Sequence, residues 1–322
     1  MLAWGRVSII PRPSVAPAAR FRAGAASRSG PVASSAQVSS AFARTVSTVT
    51  YPLTALISDL HANWPALQVA LADARERGAT RVVCLGDVIG YGARPIECLD
   101  RVMELCSERA AEHGFTPGFC LQGNHEEALL GSGVDFNPNA RRAIDWTRDE
   151  LQGAGDRART HAYWDFLGGL EPLRIEDGAM YAHGSPHGPV REYLLPRDAR
   201  DGAKMAANFR AMRELDPGDK ALVCFVGHSH VPGIFYEDGR FYRPKSTEGP
   251  YDLGVSAQCR AIVNIGSVGQ PRDGDPRLSY ALFDGWRLSF VRAAYDVALA
   301  QEHIRAVSLL PAYLADRLAA GQ

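Results

Sequence analysis

Lysine is nearly missing from this chain, with 3 residues beside 32 arginines in 322 positions. Residues 1–50 lack acidic side chains altogether and hold six arginines and no lysine, so the remaining 272 residues carry 29 basic against 36 acidic groups, a formal −7. An acidic body excludes broad nucleic-acid binding, which needs Lys and Arg to neutralise phosphates. Paired cysteines are missing too: Cys84, Cys98, Cys106, Cys120, Cys224 and Cys259 form no CxxC. Three of them, Cys84, Cys120 and Cys224, sit inside apolar runs, which points to reduced core thiols rather than a disulfide frame or a zinc-thiolate site. No apolar stretch reaches the ~18–20 residues of a membrane span.

Residues 1–50 read as a disordered leader rich in Arg, Ser and Ala. That composition suits an organellar transit peptide, and equally suits upstream sequence translated from a start codon placed too early in a GC-rich gene. The first reading puts the protein in an organelle and the second in the cytoplasm. Residues 51–322 read as one domain, and an apolar content of 46% across the chain is ample for its core.

From Tyr51 onward short apolar runs alternate with helical stretches. Strands are expected at Leu53–Ser58, Arg81–Gly86 and Gly118–Gly123, with helices at Pro65–Arg77 and Pro95–Ala111 and another starting near His125. This β-α-β-α-β order implies parallel strands. Asn137-Pro138 opens a further helix as cap and first residue. Later strands are expected at Ala179–Gly184 and Ala221–Gly227, with a helix over Ala199–Leu215 between them. Asp238-Gly239 and Asp284-Gly285 sit between aromatic runs as hairpin turns. The end of the chain, 296–322, reads as a helix broken at Pro311. Parallel units followed by hairpins suggest an α/β fold with two mixed sheets facing each other inside helical layers.

The polar residues at the strand ends carry the chemistry. Strand after strand ends in Asp, Asn or His: Asp59 and His61, then Asp87, then Asn124 and His125, then His183, then His228 and His230. A lone Asp after a strand is ordinarily a turn former or helix cap. Carboxyl ends of parallel strands share one crevice, however, and five such coincidences of metal-ligand type point to a shared site. The two histidines of FVGHSHVPG pose a separate question. Strand alternation would aim both at one face, whereas a tight turn would let them diverge. Carboxylates, imidazoles and an amide without a thiolate suit Mn, Fe, Zn or similar ions, Ni and Mg included. The ligands are too many for one ion, and two ions about 3.5–4 Å apart form a known clamp for displacement at phosphorus.

Asp59-x-His61, Gly86-Asp87, Gly123-Asn124-His125-Glu126, His183 and Gly227-His228-x-His230 resemble the motif series of calcineurin-like metallophosphoesterases, and the resemblance spans Leu53 to Val291. It implies a four-layer α-β-β-α sandwich. It implies one ion on Asp59, His61, Asp87 and His230 and a second on Asp87, Asn124, His183 and His228, with Asp87 as the bridge. His125 is then the non-ligand histidine that protonates the leaving oxygen or stabilises phosphoryl charge, and a hydroxide bridging the ions attacks phosphorus in line.

Two departures narrow the branch. The Asp-Arg-Gly element and the arginine before Gly-Asn-His-Glu that protein Ser/Thr phosphatases carry are replaced here by GDVIGYG and Gln122. The chain is more similar to small bacterial-type phosphodiesterases of the family, which implies hydrolysis of a small phosphoester, a nucleotide-derived one being among the candidates. A dinucleoside polyphosphate hydrolase, a phosphomonoesterase or protein phosphatase, and a non-enzymatic scaffold like the retromer subunits of this fold are alternatives. Arg272 is a candidate phosphate contact or a partner of Asp273 or Asp275; His187 and Arg191 are candidate pocket residues or ordinary loop polarity. Trp64, Trp146, Trp164 and Tyr193 are candidates for stacking on a base, or for the core.

Overall fold

The computed structural model describes residues 51–322 apart from Ser132, Val134, Asp135 and Asp219; the leader, 1–50, lies outside the described residues. Strands β1 (Thr54–Ile57), β2 (Arg81–Cys84) and β3 (Thr116–Cys120) run parallel, connected through helices α1 (Trp64–Glu76) and α2 (Pro95–Leu105). Asn63 caps α1, its side chain accepting from the Ala66 N–H at 3.2 Å, and Pro65 occupies the first turn where no N–H is needed. The helix expected to reach Ala111 stops at Leu105 instead. A 3-10 turn, Glu108–His113, follows and ends at the left-handed Gly114.

Next come α3 (Asn124–Leu130), α4 (Pro138–Gly153) and α5 (Arg157–Gly168). Asn137 caps α4 as expected, accepting from the N–H groups of Asn139 and Ala140 at 3.1 and 3.0 Å. Strand β4 (Leu173–Glu176), which no clean alternation announces, pairs antiparallel with β5 (Ala179–Ala182). Helix α6 (Gly202–Leu215) leads to β6 (Val223–Val226), and then β7 (Gly233–Tyr236), β8 (Phe241–Tyr242), β9 (Glu248–Asp252), β10 (Ala261–Asn264), β11 (Leu278–Phe283) and β12 (Arg287–Ala293) complete the strands. Both Asp-Gly hairpins form, as β7–β8 and β11–β12. Helices α7 (Val297–Ala306) and α8 (Tyr313–Ala320) close the chain, and Pro311 lies between them.

Two six-stranded sheets result, in the orders β3-β2-β1-β11-β12-β9 and β4-β5-β6-β10-β7-β8. Alternation along each strand sorts side chains between layers. Ala55 and Ile57 of β1 face α1 and α2, while Leu56 faces the second sheet. In β6, Val223 and Phe225 point between the sheets, while Cys224 and Val226 pack on Met205, Phe209 and Met212 of α6. Three stacked cores therefore separate four layers, helix, sheet, sheet, helix. A fourth cluster seats α7 and α8 on Ala143 and Trp146 of α4. All six cysteines are free. No helix among the described residues is long and apolar enough to cross a membrane.

Candidate metal centre

Eight non-glycine residues among those described have positive φ, and seven of them lie in the loops at the strand ends: Asp59, His61, Ala62, Asp87, Tyr91, His228 and His230. Left-handed backbone costs a side chain roughly 1–2 kcal/mol per residue, so such a cluster survives only where its surroundings hold it. The loops brace one another. Asp59 N–H donates to the Gly86 carbonyl at 3.0 Å, His61 N–H to Asp87 at 2.9 Å and Ala62 N–H to Val88 at 2.9 Å. Glu126 clamps the next loop: its buried carboxylate accepts from the N–H groups of Asp87, Val88 and Gly123 at 2.8, 2.9 and 2.9 Å. The loop of Gly227 passes so close to Asp59 that a Cβ there would lie 2.5 Å from its carboxylate oxygen Oδ2.

These loops converge on two separate groups of buried side chains, Asp59, His61 and His230 in one and Asp87, His183 and His228 in the other, and a third grouping, His61, Asp87 and His125, spans them. His230 Nε2 stands 3.1 Å from Asp59 Oδ1 and 3.2 Å from His61 Nε2. His183 Nε2 stands 3.1 Å from His228 Nδ1, 3.1 Å from Asn124 Oδ1 and 3.4 Å from Asp87 Oδ2. The same Asp87 oxygen is 3.7 Å from His61 Nε2, so this carboxylate lies between the two groups. His228 and His230 thus diverge from one turn, each into a different group.

The outward nitrogens explain the inward ones. His61 Nδ1 faces the Ile89 carbonyl at 3.3 Å, His183 Nδ1 the Leu85 carbonyl at 3.0 Å and His228 Nε2 the Arg191 carbonyl at 3.2 Å, while His230 Nδ1 faces the Gln270 carbonyl. A carbonyl can only accept, so each of these ring nitrogens carries the proton and the opposite nitrogen presents a lone pair inward. Bare nitrogens about 3 Å apart, beside ionised carboxylates, are held together by a cation between them. The residues therefore fit divalent metal ions.

In the metal-free chain a proton takes the cation's place. Burial disfavours charge on His183, but Asp87 outweighs it and raises the imidazole to about 9. Burial alone would raise Asp59 and Asp87, yet His230 beside the first and His183 beside the second pull both well below the usual carboxylate range. Burial, reinforced by neighbouring imidazoles, pushes His228 down to about 3 and His61 well below its ordinary value.

His125 is placed differently. Its Nε2 is 4.0 Å from Asp87 Oδ2, and its buried Nδ1 has no hydrogen-bond partner, so it lacks the carbonyl that orients each of the other four imidazoles. Its ring stands 4.7 Å from that of His61, 4.5 Å from Tyr91 and 5.0 Å from Phe136. Burial lowers it to about 4.

A cavity of about 240 Å³ adjoins the centre, lined by Tyr91, Asn124, Phe136, Asn137, Arg191, Tyr193 and His228 among others. Arg191 therefore borders it, its Nε bonded to Glu127 at 2.6 Å. His187 does not line this cavity; it is exposed and faces Glu192 at 3.5 Å. Arg272 donates to the Gln270 side chain at 2.9 Å, because Asp273 and Asp275 are taken by Arg292 and Arg277. Of the aromatic candidates only Tyr193 reaches the centre, stacked on His228 with ring centroids 3.7 Å apart. Trp146 is buried in the α4, α7 and α8 cluster, and Trp64 and Trp164 pack on the outer core. Tyr91, Phe136 and the clamp of Glu126 were not legible from spacing, since nothing in the local pattern marks their long-range contacts.

Residues 53–232 match the calcineurin-like phosphoesterase family. The chain belongs to that family. An uncharacterized protein of Methanocaldococcus jannaschii is 33% identical over 280 residues, covering 83% of this chain and 98% of the relative. The crystal structure of a metallophosphoesterase from Sphaerobacter thermophilus is 35% identical with a TM-score of 0.66, covering 85% of this chain and all of that one. A hypothetical protein of Pyrococcus horikoshii, 17% identical with a TM-score of 0.64 over 84% of this chain and 98% of its own, shares the fold. The phosphoesterase is thus a phosphoester hydrolase, and its buried ligand groups suit divalent metals.

Proposed function

We propose that this phosphoesterase is a dinuclear metal-dependent phosphodiesterase. One ion is held by Asp59, His61, Asp87 and His230, the second by Asp87, Asn124, His183 and His228. The observation that carries this reading is the set of four imidazoles turned inward by backbone carbonyls into two groups, with Asp87 Oδ2 between them. The ligand set favours Mn, Fe or Zn. When bound, two such ions supply Lewis acidity and a water acidic enough to act as nucleophile near neutral pH.

The chain's own residues do the rest. Asp59 and Asp87, ionised at any physiological pH, offset the ions' charge. His125, neutral at pH 7, offers a ring N–H to the leaving oxygen, and negative charge arriving on the substrate favours its imidazolium. Lack of a partner at Nδ1 supports that role over ligation. The cavity walled by Tyr91, Phe136 and Tyr193 gives a second ester group a place beside the reacting phosphorus. Residues 51–322 act as one catalytic domain in this reading, in the cytoplasm.

The test compares bis-(p-nitrophenyl) phosphate with p-nitrophenyl phosphate, using the full chain after chelation and after Mn is added back. Turnover of the diester restored by metal supports the proposal. Turnover of the monoester alone would move the assignment to a phosphomonoesterase, and no turnover despite two bound metal equivalents would favour a scaffold.

A further inference from the structure

The C-terminal helix brings a second arginine to the Tyr91 ring that packs on the centre. Arg317 of α8 lies with its guanidinium carbon 5.7 Å from the centre of the Tyr91 ring, and that of Arg272 lies 5.9 Å from the same ring. Tyr91 in turn packs 4.7 Å from His61 and 4.5 Å from His125, so both guanidinium groups stand one ring away from the ligands. The two like charges feel each other, since burial first and then the Arg272 charge lower the Arg317 guanidinium below its usual value.

Neither group meets a side-chain carboxylate among the described residues. Arg272 reaches the Gln270 amide at 2.9 Å, and its buried Nε has no partner. Arg317 gives one N–H, from Nε, to the main-chain oxygen of Gln322 at 2.6 Å. A guanidinium has five N–H donors, and these contacts use a minority of them. The nearby carboxylates are occupied, Asp273 by Arg292 and Asp275 by Arg277.

The placement of α8 is itself enforced. Leu314, Ala315 and Leu318 bury it against Ala143 and Trp146 of α4. The helix ends at Gly321, φ +62°, where a Cβ would lie 2.7 Å from the Asp275 backbone, and the Gly321 carbonyl accepts from the Gly274 N–H at 3.0 Å. The end of α8 is thereby tied to the loop that follows Arg272.

We propose that Arg272 and Arg317 form a two-guanidinium site at the mouth of the centre that takes phosphate oxygens of the substrate. The inference rests on the phosphoester reading above. It puts the phosphate grip on the C-terminal helix, in place of the arginines that the GDVIGYG and Gln122 stretches lack. Planar forks suit this task, since a guanidinium donates two parallel N–H bonds to phosphate oxygens.

The experiment measures orthophosphate and pyrophosphate binding to the metal-loaded full chain by calorimetry, with metal content and circular dichroism recorded for each variant. Arg317→Gln and Arg272→Gln should each weaken binding by about tenfold or more, the usual worth of a hydrogen bond to a charged group, with metal content unchanged. Arg317→Lys, which keeps the charge and loses the fork, should recover part of the loss and stands in if the glutamine variant misfolds. Weakened binding of both anions places the pair on the reacting phosphoryl group; weakened pyrophosphate alone places it on a neighbouring phosphate. Unchanged affinity for both anions in well-folded, metal-replete variants would overturn the proposal. Binding is read without turnover, so a chain that hydrolyses no diester can still pass or fail this test, and an active diesterase with unaltered anion affinity fails it alone.

Discussion

The two sheets contribute to the centre in unlike ways. The first delivers both carboxylates, the amide and His61, and its loops hold each other through main-chain bonds such as His61 N–H to the Asp87 carbonyl at 2.9 Å. The second delivers only imidazoles, His183, His228 and His230. One of these takes its orientation from the first sheet, His183 from the Leu85 carbonyl just beyond β2. Even the turn that carries His228 is pinned from the first sheet, its N–H donating to Asp59 Oδ2 at 3.0 Å. One sheet is a rigid anionic cradle; the other closes over it.

That difference is sharpest at Asp87, the one carboxylate near both groups. Asp87→Ala should lose both ions and cut the rate by at least about 10²–10³-fold, as removal of a central electrostatic group does. His230→Ala and His183→Ala, on the second sheet, should each still bind one metal equivalent. Metal analysis of the three purified variants decides this, and equal stoichiometry in all of them would break the comparison.

Beside the cradle, His125→Ala should keep two equivalents yet lose about 10²–10³-fold in rate, within the usual range for a general acid. Steady-state kinetics on the metal-replete variant checks it; an unchanged rate would remove His125 from proton transfer. Glu126→Gln tests the clamp under the first sheet. It keeps the shape but weakens an acceptor of several N–H groups, and metal affinity should fall about 10–100-fold, as for other groups that orient ligands. A chelator competition titration reads this shift.

Acid should act on the second sheet first. His183 sits near 9 without metal, against an ordinary 6.5, so below about pH 9 loading must expel its proton. Metal affinity should therefore rise with pH up to about 9, by at most about tenfold per unit from this group. Below 6.5 the same raised value favours the folded metal-free chain, and that advantage fades as pH climbs toward 9. Calorimetry in buffers of different ionisation enthalpy counts the proton released.

Much of this was legible in the chain. Seven ligand candidates stood at strand ends because parallel strands deliver their carboxyl ends to one side, and the apolar runs that mark those strands are local. Strand β4 was not legible, since Leu173–Glu176 is half exposed and does not alternate cleanly. The reach of Arg317 was equally hidden: α8 is an ordinary amphipathic helix until its packing on Trp146 is known.

By itself the sequence determined the family, the four-layer plan and the residue types of the centre, because strand periodicity and turn chemistry act over a few residues. Only the tertiary structure decided which nitrogen of each imidazole turns inward, that Asp87 lies between the two groups, that Glu126 clamps two loops, and that α8 sets Arg317 against the Tyr91 ring that Arg272 also faces. Those arrangements depend on carbonyls, carboxylates and packed side chains far apart in the chain, such as Asp59 and His228 at 169 positions, and no local pattern encodes them.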